Sequence, residues 1–132
     1  MNTEISFPSK IENITLVEKF IDDISVEYKL GTEIYGNILV AIIEAVNNAI
    51  LHGNKFDPRK TVKVIFYNDI QMLSFKVFDQ GPGFDSTSIP DPTTAENIEN
   101  PHGRGIFLMR HLADEVNFYD KGREVELKFK RC

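Results

Sequence analysis

The sequence predicts an α/β sandwich of the α+β class: a mixed, mainly antiparallel sheet with helices packed on one face. Three observations lead there. Two long stretches, 10–29 and 32–52, space their apolar residues at helical intervals. Two pairs of β-rich segments flank the short turns Asn68-Asp69 and Lys121-Gly122. The order strand, two helices, hairpin, long loop, helix, hairpin also lacks the strand–helix alternation of a parallel sheet.

Residues 2–7 are a first strand through Ile5 and Phe7, which Pro8 is expected to end. Ser9 and Glu12 match an S-x-x-E capping box, and Ile14, Val17, Ile21, Ile24 and Tyr28 follow on one helical face. Gly31 reads as the C-terminal cap of that helix. Thr32 can cap a second helix running to about His52, where Gly53 stops it. Its apolar stripe runs through Ile34, Ile38, Ala41, Ile42, Ala45, Val46, Ala49 and Ile50, leaving Glu44, Asn47 and Asn48 outside. Strands follow at 61–67 and 71–78. Residues 79–102, rich in Gly, Pro, Ser, Thr and Asn, form a connection long enough to suggest a binding loop. A third helix spans Gly105 to Ala113, with Phe107, Leu108 and Met109 expected in the core. Strands 115–120 and 123–130 close the fold.

A length of 132 residues fits one domain with a real core. Apolar residues at 42% and charged residues at 27% are ordinary for a globular chain, which argues against disorder. The net charge of −5 leaves no basic stripe for a nucleic acid. A single cysteine, Cys132, excludes a disulfide framework or a cysteine-based zinc site. The longest apolar run, Ile38 to Ile43, is too short to span a bilayer, and the first residues carry no leader pattern. A cytoplasmic protein with no membrane partner and no direct nucleic-acid partner is expected.

Three short elements have chemical potential. Glu44 and Asn48 stand four apart and share a helix face. There the carboxylate can take a proton from a hydroxyl or water, and the amide oxygen can serve as a hard ligand for Mg²⁺. Asp79-Gln80-Gly81-Pro82-Gly83 directly follows a strand. A carboxylate at such a half-buried position needs a partner, which an exocyclic amine would supply, and the glycines allow a close backbone approach. Gly103-Arg104-Gly105 opens the third helix, where unshielded N–H groups favour phosphate, with His102 and Arg104 as further donors. Each element alone is also compatible with a polar helix face, a plain turn or a helix start.

In this order, with the long loop between the last two, the three elements resemble the ATP-binding domain of the GHKL (Bergerat-fold) superfamily over nearly the whole chain. Glu44 to Asn48 resembles its N box, Asp79 to Gly83 its first glycine box and Gly103 to Gly105 its second. Within that superfamily the runs "EAVNNAILHGN", "VFDQGPGFD" and "GRGIFLMRHLADEV" are most similar to bacterial anti-sigma factor serine/threonine kinases. The resemblance implies a Bergerat-type fold and one ATP-binding kinase domain over 1–132, with residues 84–102 as the ATP lid. It implies Glu44 as catalytic base, Asn48 as Mg²⁺ ligand and Asp79 as acceptor of the adenine amino group. Gly81 and Gly83 would shape the base pocket, while Gly103 and Gly105 would bring main-chain amides to the phosphates. Arg104, His102 and Lys55 would add positive charge.

The implied partners are a STAS-type anti-anti-sigma protein, phosphorylated on Ser or Thr, and a sigma factor, sequestered in a partner-switching cycle. A homodimer is also compatible with the family. Two features depart from its pattern. Gly122 is followed by Arg123-Glu124 where many members have Gly-Thr, and 84–101 holds no Lys or Arg but has Asp85, Asp91, Glu96 and Glu99. Three readings stay open: an ATP-dependent kinase, a nucleotide-gated binding regulator without catalysis, and an interaction domain without nucleotide. The cluster Lys121, Arg123, Lys128, Lys130 and Arg131 is expected to be a solvated hairpin face.

Overall fold

The computed structural model describes residues 3–69, 71–82 and 101–131, without the side chains of Pro101 to Arg104. The expected loop 84–102 and Gly83 therefore lie outside the described residues, except for Pro101 and His102. Strands are β1 (Glu4–Pro8), β2 (Thr61–Asn68), β3 (Met72–Phe78), β4 (Glu115–Tyr119) and β5 (Glu124–Lys130). Helices are α1 (Ile14–Tyr28), α2 (Thr32–Asn48) and α3 (Pro101–Leu112).

The sheet order is β1-β2-β3-β5-β4, and every described pairing is antiparallel, so the mixed component of the expected sheet is absent from it. Alternation along the strands puts Phe7, Val62, Val64, Phe66, Leu73, Phe75, Val77, Val125, Leu127 and Phe129 on one buried face. The helices cover it with Val17, Phe20, Ile21 and Ile24 from α1 and Ile38, Ala41, Ile42, Ala45 and Val46 from α2. The other sheet face is polar and cross-linked by ion pairs such as Lys76–Glu124 at 3.6 Å. Phe75 sits at the centre, its ring 5.1 Å from that of Phe66 and 6.1 Å from that of Phe129.

Several boundaries differ from the sequence expectation. β1 does end at Pro8, which is its last paired residue, opposite Thr61, and the Ser9 N–H just beyond it donates to the Lys60 carbonyl at 3.0 Å. That tie holds Ser9 at the end of the sheet. The capping box therefore does not form, and a short 3₁₀ turn, Ile11–Asn13, leads into α1. The left-handed residue that ends α1 is Lys29 (φ 53°, ψ 50°), not Gly31, which is extended and caps the start of α2 in place of Thr32. Phe107 is exposed, while Met109 on the opposite side of α3 is buried.

α2 continues through a π-helical turn, Ala49–Gly53. The continuous helical segment Thr32–Gly53 is long and apolar enough, by length and composition, to cross a membrane. Its apolar stripe is instead buried against α1, α3 and the sheet, as in a core helix.

Truncating the central ring by Phe75→Ala removes contacts on both sides of the sheet centre. The expected loss is about 3–5 kcal/mol of unfolding free energy. Urea titration should show a lower midpoint with an unchanged slope.

Candidate functional site

The site begins where α2 ends. The π-helical turn widens the backbone ladder, so that the Asn54 N–H reaches the Ala49 carbonyl at 2.7 Å and the Phe56 N–H reaches the Ile50 carbonyl at 2.8 Å. Lys55 and Phe56 then turn in the left-handed region (φ 52° and 60°). This geometry sends Asn54 inward, where it is 1% exposed. Its Nδ2 donates to the Thr61 carbonyl at 2.9 Å, and its Oδ1 accepts the Gln80 N–H at 2.7 Å. The Gln80 side chain in turn accepts the Thr61 N–H at 2.8 Å. One buried amide thus joins the end of α2, the start of β2 and the turn after β3. Sequence reasoning gave Asn54 no role of its own beyond its place in the run "EAVNNAILHGN". Its side-chain role carries no local signal, because the partners lie 7 and 26 residues away.

The turn after β3 places Asp79 at the cavity. Its N–H donates to the Arg123 carbonyl at 2.8 Å, and its Oδ1 accepts the Gly81 N–H at 2.8 Å. Two glycines make room for it. A Cβ on Gly53 would stand 2.4 to 2.7 Å from the Asp79 carboxyl group, and one on Gly81 would stand 1.8 Å from the Gly53 carbonyl oxygen. Gly53 was read as a helix stop, and the structure shows it is also the space into which the Asp79 carboxylate fits. Burial pushes the Asp79 carboxyl group up. The Gly81 N–H bond and the positive charges of Arg123 and Lys60 oppose that rise, and Asp120 adds to it.

A cavity of about 170 Å³ opens here, lined by Ala45, Asn48, Ala49, His52, Gly53, Val77, Asp79, Ile106, Met109, Phe118, Gly122 and Val125. Its walls are mostly apolar, with polar groups at two places, the pattern of a small-molecule site. It is smaller than the roughly 300–1,000 Å³ of a drug-sized pocket and so suits a ring system more than an extended ligand. Burial lowers the His52 pKa, which keeps this imidazole neutral at the cavity edge near pH 7.

Glu44 and Asn48 approach α3 directly. A Cβ on Gly105 would lie 3.1 Å from Glu44 Oε2 and 3.2 to 3.3 Å from the Asn48 amide atoms, so a side chain there would press on both polar groups and shift them by a few tenths of an ångström. Asn48 Nδ2 is buried without a hydrogen-bond partner, a costly arrangement that a bound polar group would relieve. Among the described residues no group of three or more His, Cys, Asp or Glu could hold a metal. That donor set fits a Mg²⁺ that uses one or two protein oxygens beside substrate phosphates, and does not fit an all-protein metal cage.

The structure thus brings Asn48 and Asp79 to one cavity, sets Gly81 beside it through its N–H bond to Asp79, and puts Gly105 against Glu44 and Asn48, with Glu44 outside the cavity lining. Gly83 lies outside the described residues, and the side chains of His102 and Arg104 are not described. The position of Gly103 needs correction: α3 starts at Pro101, so Gly103 to Gly105 lie within the helix and not at its mouth. Pro at the first helical position explains the earlier start, since its missing N–H and fixed φ suit that site. Gly103 still falls in the first turn, where backbone N–H groups have no intrahelical acceptor. Arg123 is likewise not on a solvated face, because its guanidinium reaches the Gly81 and Pro82 carbonyls at 2.7 and 2.8 Å.

Comparison with known proteins adds an independent line. Residues 7–129 match the family described as the histidine kinase-like ATPase domain. An anti-sigma F factor from Anoxybacillus flavithermus is 33% identical over 96 residues, covering 68% of this chain and 65% of that protein, slightly under two thirds of its length. A serine-protein kinase RsbW from Listeria monocytogenes is 28% identical over 130 residues, covering 92% of this chain and 82% of that protein. A crystal structure of RsbU and RsbW domains from Mycobacterium tuberculosis matches 98% of this chain and 32% of that one. Its TM-score is 0.62 at 15% identity, a likeness of fold.

Two alanine substitutions should behave oppositely. Gly53→Ala forces the Asp79 carboxylate and its turn to move, at an expected cost of about 1–3 kcal/mol. Gly36→Ala, inside α2 with open space at its Cβ, should gain about 0.5–1 kcal/mol. Parallel urea titrations check both signs.

Proposed function

The chain belongs to the histidine kinase-like ATPase family, and from that premise we propose that it is an ATP-dependent serine/threonine protein kinase of the anti-sigma type. It binds ATP with Mg²⁺, phosphorylates a STAS-type anti-anti-sigma protein and sequesters a sigma factor, in the cytoplasm. The observation that carries this reading is the cavity shared by Asp79 and Asn48, with Gly105 packed against Glu44. The relatives named anti-sigma F factor and serine-protein kinase support it.

Each residue has a distinct task. The Asp79 carboxylate accepts a hydrogen bond from the exocyclic amine of adenine, and a guanine carbonyl at the same position would meet it with repulsion. Ala45, Ala49, Val77, Ile106 and Met109 enclose the ring and exclude water. The Asn48 amide oxygen holds Mg²⁺, which neutralises phosphate charge when bound. Glu44 takes the proton of the attacking serine hydroxyl. Gly105 keeps the passage between Glu44, Asn48 and α3 clear for the phosphates. Gly81 shapes the base pocket, a role the resemblance also gives to Gly83. Gly103, with His102 and Arg104 beside it, lies in the first turn of α3, where the helix dipole favours anions.

A second reading, a nucleotide-gated binding regulator without transfer, is favoured by one observation. Arg123, where many relatives have Thr, is committed to backbone carbonyls.

Incubating the protein with Mg-ATP and a STAS-domain antagonist should yield phosphoserine or phosphothreonine on the antagonist. Glu44→Gln should cut the rate by roughly 10²–10⁴ while leaving ATP binding intact. Nucleotide binding without transfer would favour the second reading, and full transfer by Glu44→Gln would remove Glu44 from its role.

Asp79→Asn separates binding from stability. ATP at a hundredfold excess over Kd should stabilise the wild type by about 2.7 kcal/mol and this variant far less. A carboxyl group whose folded pKa is raised contributes stability at acid pH that is lost as pH rises through the raised value. The ligand-free variant should therefore be no less stable than the wild type at pH 7. Thermal unfolding with and without ATP measures both effects.

A further inference from the structure

The guanidinium of Arg123 spans the gap between the β4–β5 turn and the turn after β3. Its Nε donates to the Gly81 carbonyl at 2.7 Å and its Nη2 to the Pro82 carbonyl at 2.8 Å. Its Nη1 donates to the Asp120 carbonyl and carboxylate at 3.2 and 3.1 Å. Its own carbonyl accepts the Asp79 N–H. One residue therefore holds the Asp79–Pro82 turn from both its start and its end. A guanidinium suits this task, because its planar fork of five donors holds several acceptors in one geometry. The hairpin end supporting it is strained: Asp120 and Lys121 both adopt left-handed backbone (φ 51° and 55°). Four donor–acceptor contacts to Arg123 secure that arrangement.

We infer that Arg123 is a specificity-determining positioning residue, which fixes the Asp79 carboxylate where it separates an adenine from a guanine nucleotide. It touches no base itself and acts through the turn. Oδ1 of Asp79 is engaged by the Gly81 N–H, and the Gly81 carbonyl is engaged by Arg123, so the orientation of the carboxylate follows the placement of this one residue, whose two flanking peptide groups make the two bonds. A site that recognises an amine loses discrimination when its acceptor drifts, because the unpaired group then penalises every ligand alike. The inference rests on the reading of Asp79 as the adenine acceptor.

The test is calorimetric titration of ATP and of GTP into wild type, Arg123→Gln, Arg123→Lys and Asp120→Asn, with thermal unfolding of each ligand-free protein. Arg123→Gln should weaken ATP binding by about tenfold or more and leave GTP binding little changed, so that the ATP-over-GTP ratio falls. Arg123→Lys, which keeps the charge but not the fork, should lie between the two. Asp120→Asn, which alters only the hairpin side of the contact, should keep most of the ratio. An unchanged ratio in both Arg123 variants, whatever their stability, would overturn the inference alone. That includes the case in which only Arg123→Lys folds. A wild type that binds ATP without preferring it over GTP would overturn the assignment of Asp79. A wild type that binds neither nucleotide would overturn the proposed function as well.

Discussion

The end of α2 and the end of β3 meet backbone to backbone, and the cavity depends on that meeting. Any side chain at Gly53 or Gly81 would collide with the Asp79 carboxylate or the Gly53 carbonyl. With both glycines in place, a charged group can stand at the rim of an apolar slot without a wall of carbon in front of it. Asn54 locks the junction from behind, and its two hydrogen bonds satisfy a buried amide that would otherwise be costly. The π-helical turn is the local irregularity that precedes both residues: it ends at Gly53, and the N–H of Asn54 closes it on the Ala49 carbonyl.

The arrangement concentrates opposing demands in a small volume. A carboxylate is partly desolvated, and an amide nitrogen on Asn48 has no acceptor. Both conditions oppose folding, and the large core beneath offsets them. The same helix supplies both contributions. The stripe from Ile38 to Ile50 anchors α2 in the interior, and Glu44 and Asn48 stand at its margin, half-buried and facing Gly105 of α3. Fixing the polar residues on a helix packed this tightly gives them little freedom to drift.

Much of this was legible in the sequence. Periodicity located the helices and both hairpins, and the spacing of Glu44 and Asn48 put them on one face. What escaped was set by distant contacts. Ser9 is held by Lys60, which cancels a capping box that is correct on local rules. Gly31 sits two residues past the true left-handed position, which Lys29 occupies despite its side chain. Arg123 reads as one more exposed cation of a basic hairpin, because the carbonyls it holds lie 41 and 42 residues earlier. Asn54 and Gly53 were hidden for the same reason.

The sheet order has a consequence for synthesis. β3 lies at the centre, but one of its two neighbours is β5, so Phe75 and Val77 have no partner on that side until Leu127 and Val125 arrive. A chain emerging from the ribosome cannot complete this cavity before β5 is made. Val125, Gly122 and the Arg123 carbonyl all belong to the β4–β5 hairpin. The cavity is therefore complete only after β5 has joined β3, so its walls close late in the formation of the sheet.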